Sequence, residues 1–136
     1  PSLIRKAFEN DTLQVWGDGS PIRDFIHSRD VALGMLHMVE NKITEPVNLG
    51  SGDGITIKTI VDFIVKHCQK DIDVDWDTTK PTGDARRLFD MSRANSHGFY
   101  PSVSIEEGIK ETIQWYLDNK EIIDNRYNAF KRSEMV

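Results

Sequence analysis

The stretch from Leu13 to Asp30 constrains the fold more than any other part of the chain. Leu13-Gln14-Val15-Trp16 runs apolar, polar, apolar and ends in a large aromatic, the pattern of a short strand. Gly17-Asp18-Gly19-Ser20-Pro21 then concentrates turn formers, two of them glycines able to take positive φ. Ile22-Arg23-Asp24-Phe25-Ile26 predicts a second extended piece with one arginine among apolar neighbours. Ser28 and Asp30 offer side-chain oxygens to open a following helix. Such a strand–turn–strand presents an indole and a guanidinium a few residues apart. A planar base and a phosphate suit that pair, because aromatic faces stack and arginine binds phosphate oxygens bidentately. A packed tryptophan and an arginine salt-bridged to a nearby carboxylate would fit the same residues.

Around this stretch the periodicity alternates between helix and strand. Leu3, Ile4, Ala7 and Phe8 fall at helical spacing, so residues 2–9 read as the end of a helix that Asn10-Asp11 breaks. Residues 29–41 place Val31, Ala32, Met35, Leu36, Met38 and Val39 on a broad apolar helical face. Val47-Asn48-Leu49 reads as a short strand after Pro46, and Gly50 to Gly54 as a turn. Thr56 offers an N-cap to a helix whose Ile57, Ile60, Val61, Ile64, Val65 and Cys68 form a clean buried stripe. Asp71 to Trp76 alternates strictly, predicting a strand with one wet face. A polar loop follows over Asp77 to Asp84, then an extended segment over Arg86 to Asp90 and a short helix from Ser92 to His97. Ser104 and Glu107 make a capping box before a last helix with Ile105, Ile109, Ile113, Tyr116 and Leu117 on one side. Residues 120–136 are largely polar and are expected to be a partly ordered tail, with Ile122, Ile123, Tyr127 and Phe130 as docking points.

At 136 residues the chain reads as one unit with a sizeable core. Its net charge of −5, with no basic stripe, argues against nucleic acid as a partner, although local arginines can still hold an anion. Cys68 stands alone, which rules out an internal disulfide and suits a reducing cytoplasm. It reads as a buried, inert thiol. With neither a signal peptide nor an apolar run of membrane-spanning length, the sequence points to neither export nor a membrane. The opening Pro1-Ser2-Leu3 lacks an initiator methionine and enters a helical pattern at once, so the chain is expected to be excised from a longer protein.

Several motifs tempt and then weaken. Gly50-Ser51-Gly52-Asp53-Gly54 resembles a dinucleotide loop, but its third glycine comes one residue early and Ile55 stands in its place. A turn plus helix cap is the better reading. Tyr116 and Lys120 match Tyr-x-x-x-Lys, yet Tyr116 lies on the apolar stripe, away from any acid–base role. His27, His37, His67 and His97 never recur at metal-ligand spacing, so no metal is expected, though His27 follows the arginine strand closely enough to approach a ligand. The cations Lys80, Arg86 and Arg87 share a loop with Pro81 and Gly83, where they can converge on one anion or simply be solvated.

The run V-W-G-D-G-S-P-I-R-D-F-I-H-S-R-D-V-A, residues 15–32, resembles the substrate-domain signature of the extended short-chain dehydrogenase/reductases. These are the NAD(P)-dependent nucleotide-sugar epimerases and dehydratases. With the later K-P-x-G-x-x-R-R at residues 80–87, the likeness is nearest to the GDP-fucose synthase branch and extends from Leu3 to about Asn119. It implies an α/β (α+β) fold of short strands packed by about four helices, a substrate-binding unit over 1–119 with a tail over 120–136. The NAD(P)-binding Rossmann half, with its catalytic tyrosine and lysine, would lie upstream. The resemblance implies a nucleotide-diphosphate sugar as ligand and a homodimer for the parent, with no cofactor or catalytic residue in this chain and no activity from it alone. Arg23 would grip the diphosphate, Trp16 lie beside the nucleotide and Arg5 make a further phosphate or ribose contact. Lys80, Arg86 and Arg87 would supply the second grip, the choice among them left open because Thr82 and Asp84-Ala85 depart from the usual pattern. A free-standing α/β binding or adaptor module, or a piece that self-associates through a bared face, are the rival expectations.

Overall fold

The computed structural model describes residues 2–124. Five helices and two small sheets follow one another along the chain. Helix α1 (Ser2–Glu9) leads into strand β1 (Thr12–Trp16), the glycine turn and strand β2 (Ile22–Asp24). Helix α2 (Ser28–Glu40), strand β3 (Gly54–Thr56) and helix α3 (Ile57–His67) come next. Strands β4 (Asp73–Asp77) and β5 (Arg86–Arg87), the single-turn helix α4 (Ser92–Ser96) and helix α5 (Ile105–Asp124) complete it.

Strands β1 and β4 pair in parallel from Thr12↔Asp73 to Trp16↔Asp77. Side chains alternate across a strand, so this register puts Leu13 beside Val74 and Val15 beside Trp76 on one face. That face is the core. Leu13 and Val15 are buried there with Ile4 and Ala7 of α1, Ile60, Val61 and Ile64 of α3, and Ile113 and Tyr116 of α5. The Asp73 and Asp75 side chains stay in water on the other face, as their alternation predicts. Thr56 caps α3 by accepting from the Thr59 amide at 3.1 Å, and the expected stripe, Cys68 included, is the side that α3 buries.

The second sheet has the order β3-β2-β5, with β2 central. Only three residues of the extended piece after Pro21 and two of the one after Ala85 are laddered, because neither flanking strand is longer. Strand β3 was hidden inside the expected turn and cap. Val47-Asn48-Leu49, by contrast, is not a strand: no neighbouring chain among the described residues offers its backbone a ladder.

Helix α2 corrects two further expectations. Its cap is His27, whose Nδ1 accepts from the Arg29 amide at 3.3 Å, rather than Ser28 or Asp30. Asp30 turns inward, 2% exposed, and accepts from the amides of Ser102 (3.1 Å) and Val103 (2.9 Å) and the Ser102 hydroxyl (2.9 Å). Burial works to raise its pKa, but these three donors outweigh burial and hold it below the ordinary value. Gly34, one turn on, completes the inward stripe, where a Cβ would come within 2.9 Å of Leu49 and Phe99. Rotating that stripe inward turns the broad apolar face out, and Leu33, Met35, Leu36 and Val39 are half or more exposed. On α5, Leu117 is likewise exposed while Ile113 and Tyr116 are buried. α5 continues past Asn119 to Asp124 with Ile122 exposed; the side chain of Ile123, and Tyr127 and Phe130, lie outside what is described.

Candidate functional site

The glycine turn after Trp16 docks onto the loop after β4. The Gly17 amide donates to the Asp77 carbonyl at 2.8 Å, prolonging the β1–β4 ladder by one bond. Gly17 and Gly19 both take positive φ, 84° and 77°. A Cβ at Gly17 would strike the Thr82 methyl, and one at Gly19 would lie 2.6 Å from the Trp76 ring. Both positions therefore demand glycine for conformation and for space. Asp18 folds back on the turn, accepting from the Ser20 hydroxyl at 2.7 Å and the Ser20 amide at 2.9 Å.

Trp16, at the end of β1, is 57% exposed, with the Lys80 ammonium 6.0 Å from its ring centroid. Arg23 is half-buried on β2 and stands in register with Arg87 of β5, so the two side chains leave the same face of the sheet. Arg86 pairs with Ile22 and belongs to the opposite face. The Arg23 guanidinium donates to the Ile22 carbonyl (2.8 Å) and the Thr82 carbonyl (3.3 Å). The same loop thus touches Trp16 through Lys80, Gly17 through the Thr82 side chain, and Arg23 through the Thr82 carbonyl. Among the described residues, Arg23, Lys80, Arg86 and Arg87 share no salt bridge with a carboxylate, which leaves their charge available to an outside anion.

Arg5 lies on α1 and meets a carboxylate of its own helix. Its Nε is shielded from solvent without a hydrogen bond, 3.7 Å from Glu9 Oε2 one turn along α1. His27 is held by its capping role and lies 3.7 Å from Glu111. Tyr116 is 6% exposed and packs 5.7 Å from the Phe8 ring, with its hydroxyl 3.4 Å from Glu9.

Asp24 is the residue that sequence reasoning passed over. Its carboxylate accepts from the amides of Ser51 (2.7 Å), Gly52 (3.2 Å) and Phe89 (3.2 Å) and from the Ser51 hydroxyl (2.7 Å). Partial burial pushes its pKa up, and the donors of Ser51, Phe89 and Gly52 more than reverse that, leaving it lowered. The glycine-rich loop at 50–54 therefore does cradle an anion, and that anion is Asp24. A carboxylate next to an arginine, with a run of small residues free to turn their amides toward it, was the available signal. The Ser51 and Gly52 amides are thus taken by Asp24, and Tyr116 lies in the core.

The roomiest cavity described, about 530 Å³, lies elsewhere, lined by apolar side chains such as Leu3, Phe25, Ile60, Ile64 and Ile109 and by none of the basic residues. Arg86 and Arg87 are exposed and Arg23 is half-buried. Among the described residues no helix is long and apolar enough to cross a membrane, and no group of three or more potential ligands could hold a metal ion.

A mixed fold with a paired-arginine face beside a glycine turn defines a class of protein that comparison makes specific. Residues 1–50 match the NAD dependent epimerase/dehydratase family. The chain is 35% identical over 125 residues to GDP-L-fucose synthase 1 of Arabidopsis thaliana, covering 88% of this chain and 39% of that protein. The crystal structure of a GDP-L-fucose synthetase from Naegleria fowleri superposes with a TM-score of 0.82 at 25% identity, over 89% of this chain and 39% of that one. UDP-glucuronic acid 4-epimerase from Bacillus cereus, solved with UDP-glucuronic acid and NAD, gives a TM-score of 0.73 at 25% identity, over 85% and 38%. The chain belongs to the NAD-dependent epimerase/dehydratase family. It spans about two fifths of the length of the curated relatives it matches.

Proposed function

We propose that this chain is the substrate-holding part of an NAD(P)-dependent nucleotide-sugar epimerase or reductase of the GDP-fucose synthase kind. The observation that carries the proposal is the register of Arg23 with Arg87, which sets two arginines without a carboxylate partner on one sheet face. A diphosphate bears adjacent anionic oxygens, and paired guanidiniums can meet both phosphates with charge-assisted hydrogen bonds. Trp16 and Lys80 at the neighbouring turn would take the nucleotide end. Of the three loop cations, Arg87 shares Arg23's face, which makes it the second grip in place of Arg86.

On this reading residues 1–119 form the substrate-binding unit, 120–136 a tail, and NAD(P) with its acid–base pair is held by a separate part of the parent. Two features support a missing neighbour. The apolar face of α2 is exposed, and Val47–Leu49 has no ladder partner among the described residues. Arg86 and Arg87 are exposed as well. Arg23 and Arg87 would fix the diphosphate so that the sugar extends toward the cofactor-bearing part, and this chain's residues supply no proton or hydride.

The test is an NMR titration of the chain with GDP at low salt. Binding on the millimolar scale, about −4 kcal/mol, is expected of an open two-arginine site. It should perturb the Trp16 indole and the Arg23 and Arg87 Nε–Hε signals. GDP that shifts other signals and leaves these three unmoved overturns the reading, as does turnover of a sugar nucleotide with NADPH by the chain alone.

A further inference from the structure

Two like charges in register on neighbouring strands repel, and β5 has little to resist with. It is two residues long, both exposed, and belongs to neither hydrophobic cluster. The ladder bond from the Ile22 amide to the Ala85 carbonyl, 2.9 Å, anchors its beginning. Its far end is anchored by Asp24, the residue next to Arg23, which accepts from the Phe89 amide two residues beyond Arg87. The same carboxylate takes Ser51 and Gly52 from the segment that enters β3 on the other side of β2. Gly50 is what lets that segment come so near: a Cβ there would lie 2.9 Å from Asp24 Oδ2 and from the Phe89 ring. One negative charge therefore ties both outer strands to the central one, within a residue or two of both guanidiniums.

We propose that Asp24 is a positioning residue for the anion site, holding Arg87 abreast of Arg23 at the spacing a single diphosphate bridges. The proposal rests on the diphosphate reading of that face. Asp24 touches no ligand; it offsets the mutual repulsion of the two cations and fixes the end of β5 from which Arg87 projects. Without it, β5 swings on its Ala85 anchor and the cations separate until one ligand no longer reaches both.

Asp24→Asn tests this against Asp30→Asn, which removes a carboxylate with three donors of its own from a different place, the Ser102–Val103 segment. In the ligand-free chain, Asp24→Asn should speed amide exchange at residues 86–89 and 51–52 by about tenfold or more, the weight of one charge-assisted bond. It should also move the Arg87 Nε–Hε resonance. Asp30→Asn should do neither. In GDP titrations below the melting range, Asp24→Asn should weaken binding about tenfold, and no further when combined with Arg87→Ala. The proposal is overturned if exchange at 86–89 is unchanged in Asp24→Asn, or if Asp24→Asn and Asp30→Asn weaken GDP binding alike. Should Arg23→Ala and Arg87→Ala both bind GDP as the parent chain does, the diphosphate reading fails instead, and the exchange data still judge the clamp.

Discussion

Arg23 and Arg87, separated by most of the middle of the chain, stand side by side on adjacent parallel strands with their side chains on one face. Arg86, the immediate neighbour of Arg87, faces the other way. The pleat thus splits a basic dipeptide into one residue on the face of Arg23 and one on the opposite face.

Arg87→Ala should weaken GDP binding about tenfold, the loss of one charge-assisted interaction, while Arg86→Ala leaves it within about twofold. Calorimetric or NMR titration at matched ionic strength reads the difference. Equal losses from both variants would mean that net charge rather than the sheet face recognises the anion.

Gly19→Ala should destabilise the chain by about 2–3 kcal/mol. A positive φ of 77° resists any Cβ, and one added there would lie 2.6 Å from the Trp76 ring and 2.9 Å from the Lys58 Cβ. Urea melts followed by far-UV circular dichroism measure it.

Stability should fall in acid in a defined window. Asp24 and Asp30 have folded-state pKa values below the ordinary 3.8, so the unfolded chain binds protons first as pH drops. Their contribution is whole above about pH 5 and is lost as the pH passes through 3.8 toward the lower folded values. Thermal melts should be flat from neutrality to mild acid and then decline, and Asp30→Asn should decline less steeply from a lower start.

Leu36→Glu on α2 should leave stability within about 0.5 kcal/mol of the parent chain, since the side chain is 57% exposed. Val39→Glu should behave the same way. Chemical melts decide this; a loss of 2 kcal/mol or more, the cost of a core substitution, would place that face in the interior.

Much of the architecture was legible from local pattern. The Ile57 to Cys68 stripe, the Thr56 cap and the alternation up to Trp76 each reflect forces acting within one element. The strand-turn-strand at 13–24 was readable for the same reason: its glycines and alternation encode a local geometry. Misreadings arose where an element's neighbour decides its state. Val47–Leu49 reads as a strand but has no ladder among the described residues, whereas Gly54–Thr56, lying between an expected turn and its helix cap, pairs with β2. On α2 the most apolar side faces out because Asp30 finds donors at 102–103 and Gly34 admits Leu49 and Phe99.

The sequence by itself determined the main helices, the strand–turn–strand at 13–24 and the strand ending at Trp76, and the kinship written in residues 15–32 and 80–87. Those follow from backbone propensity and periodicity, which act over a few residues. Tertiary structure alone decided that Arg87 rather than Arg86 shares a sheet face with Arg23, and that Asp24 fills the glycine-rich loop. Each depends on which strand lies beside which. Strand pairing is fixed by hydrogen bonds and packing between segments far apart in the chain, so no local pattern carries it.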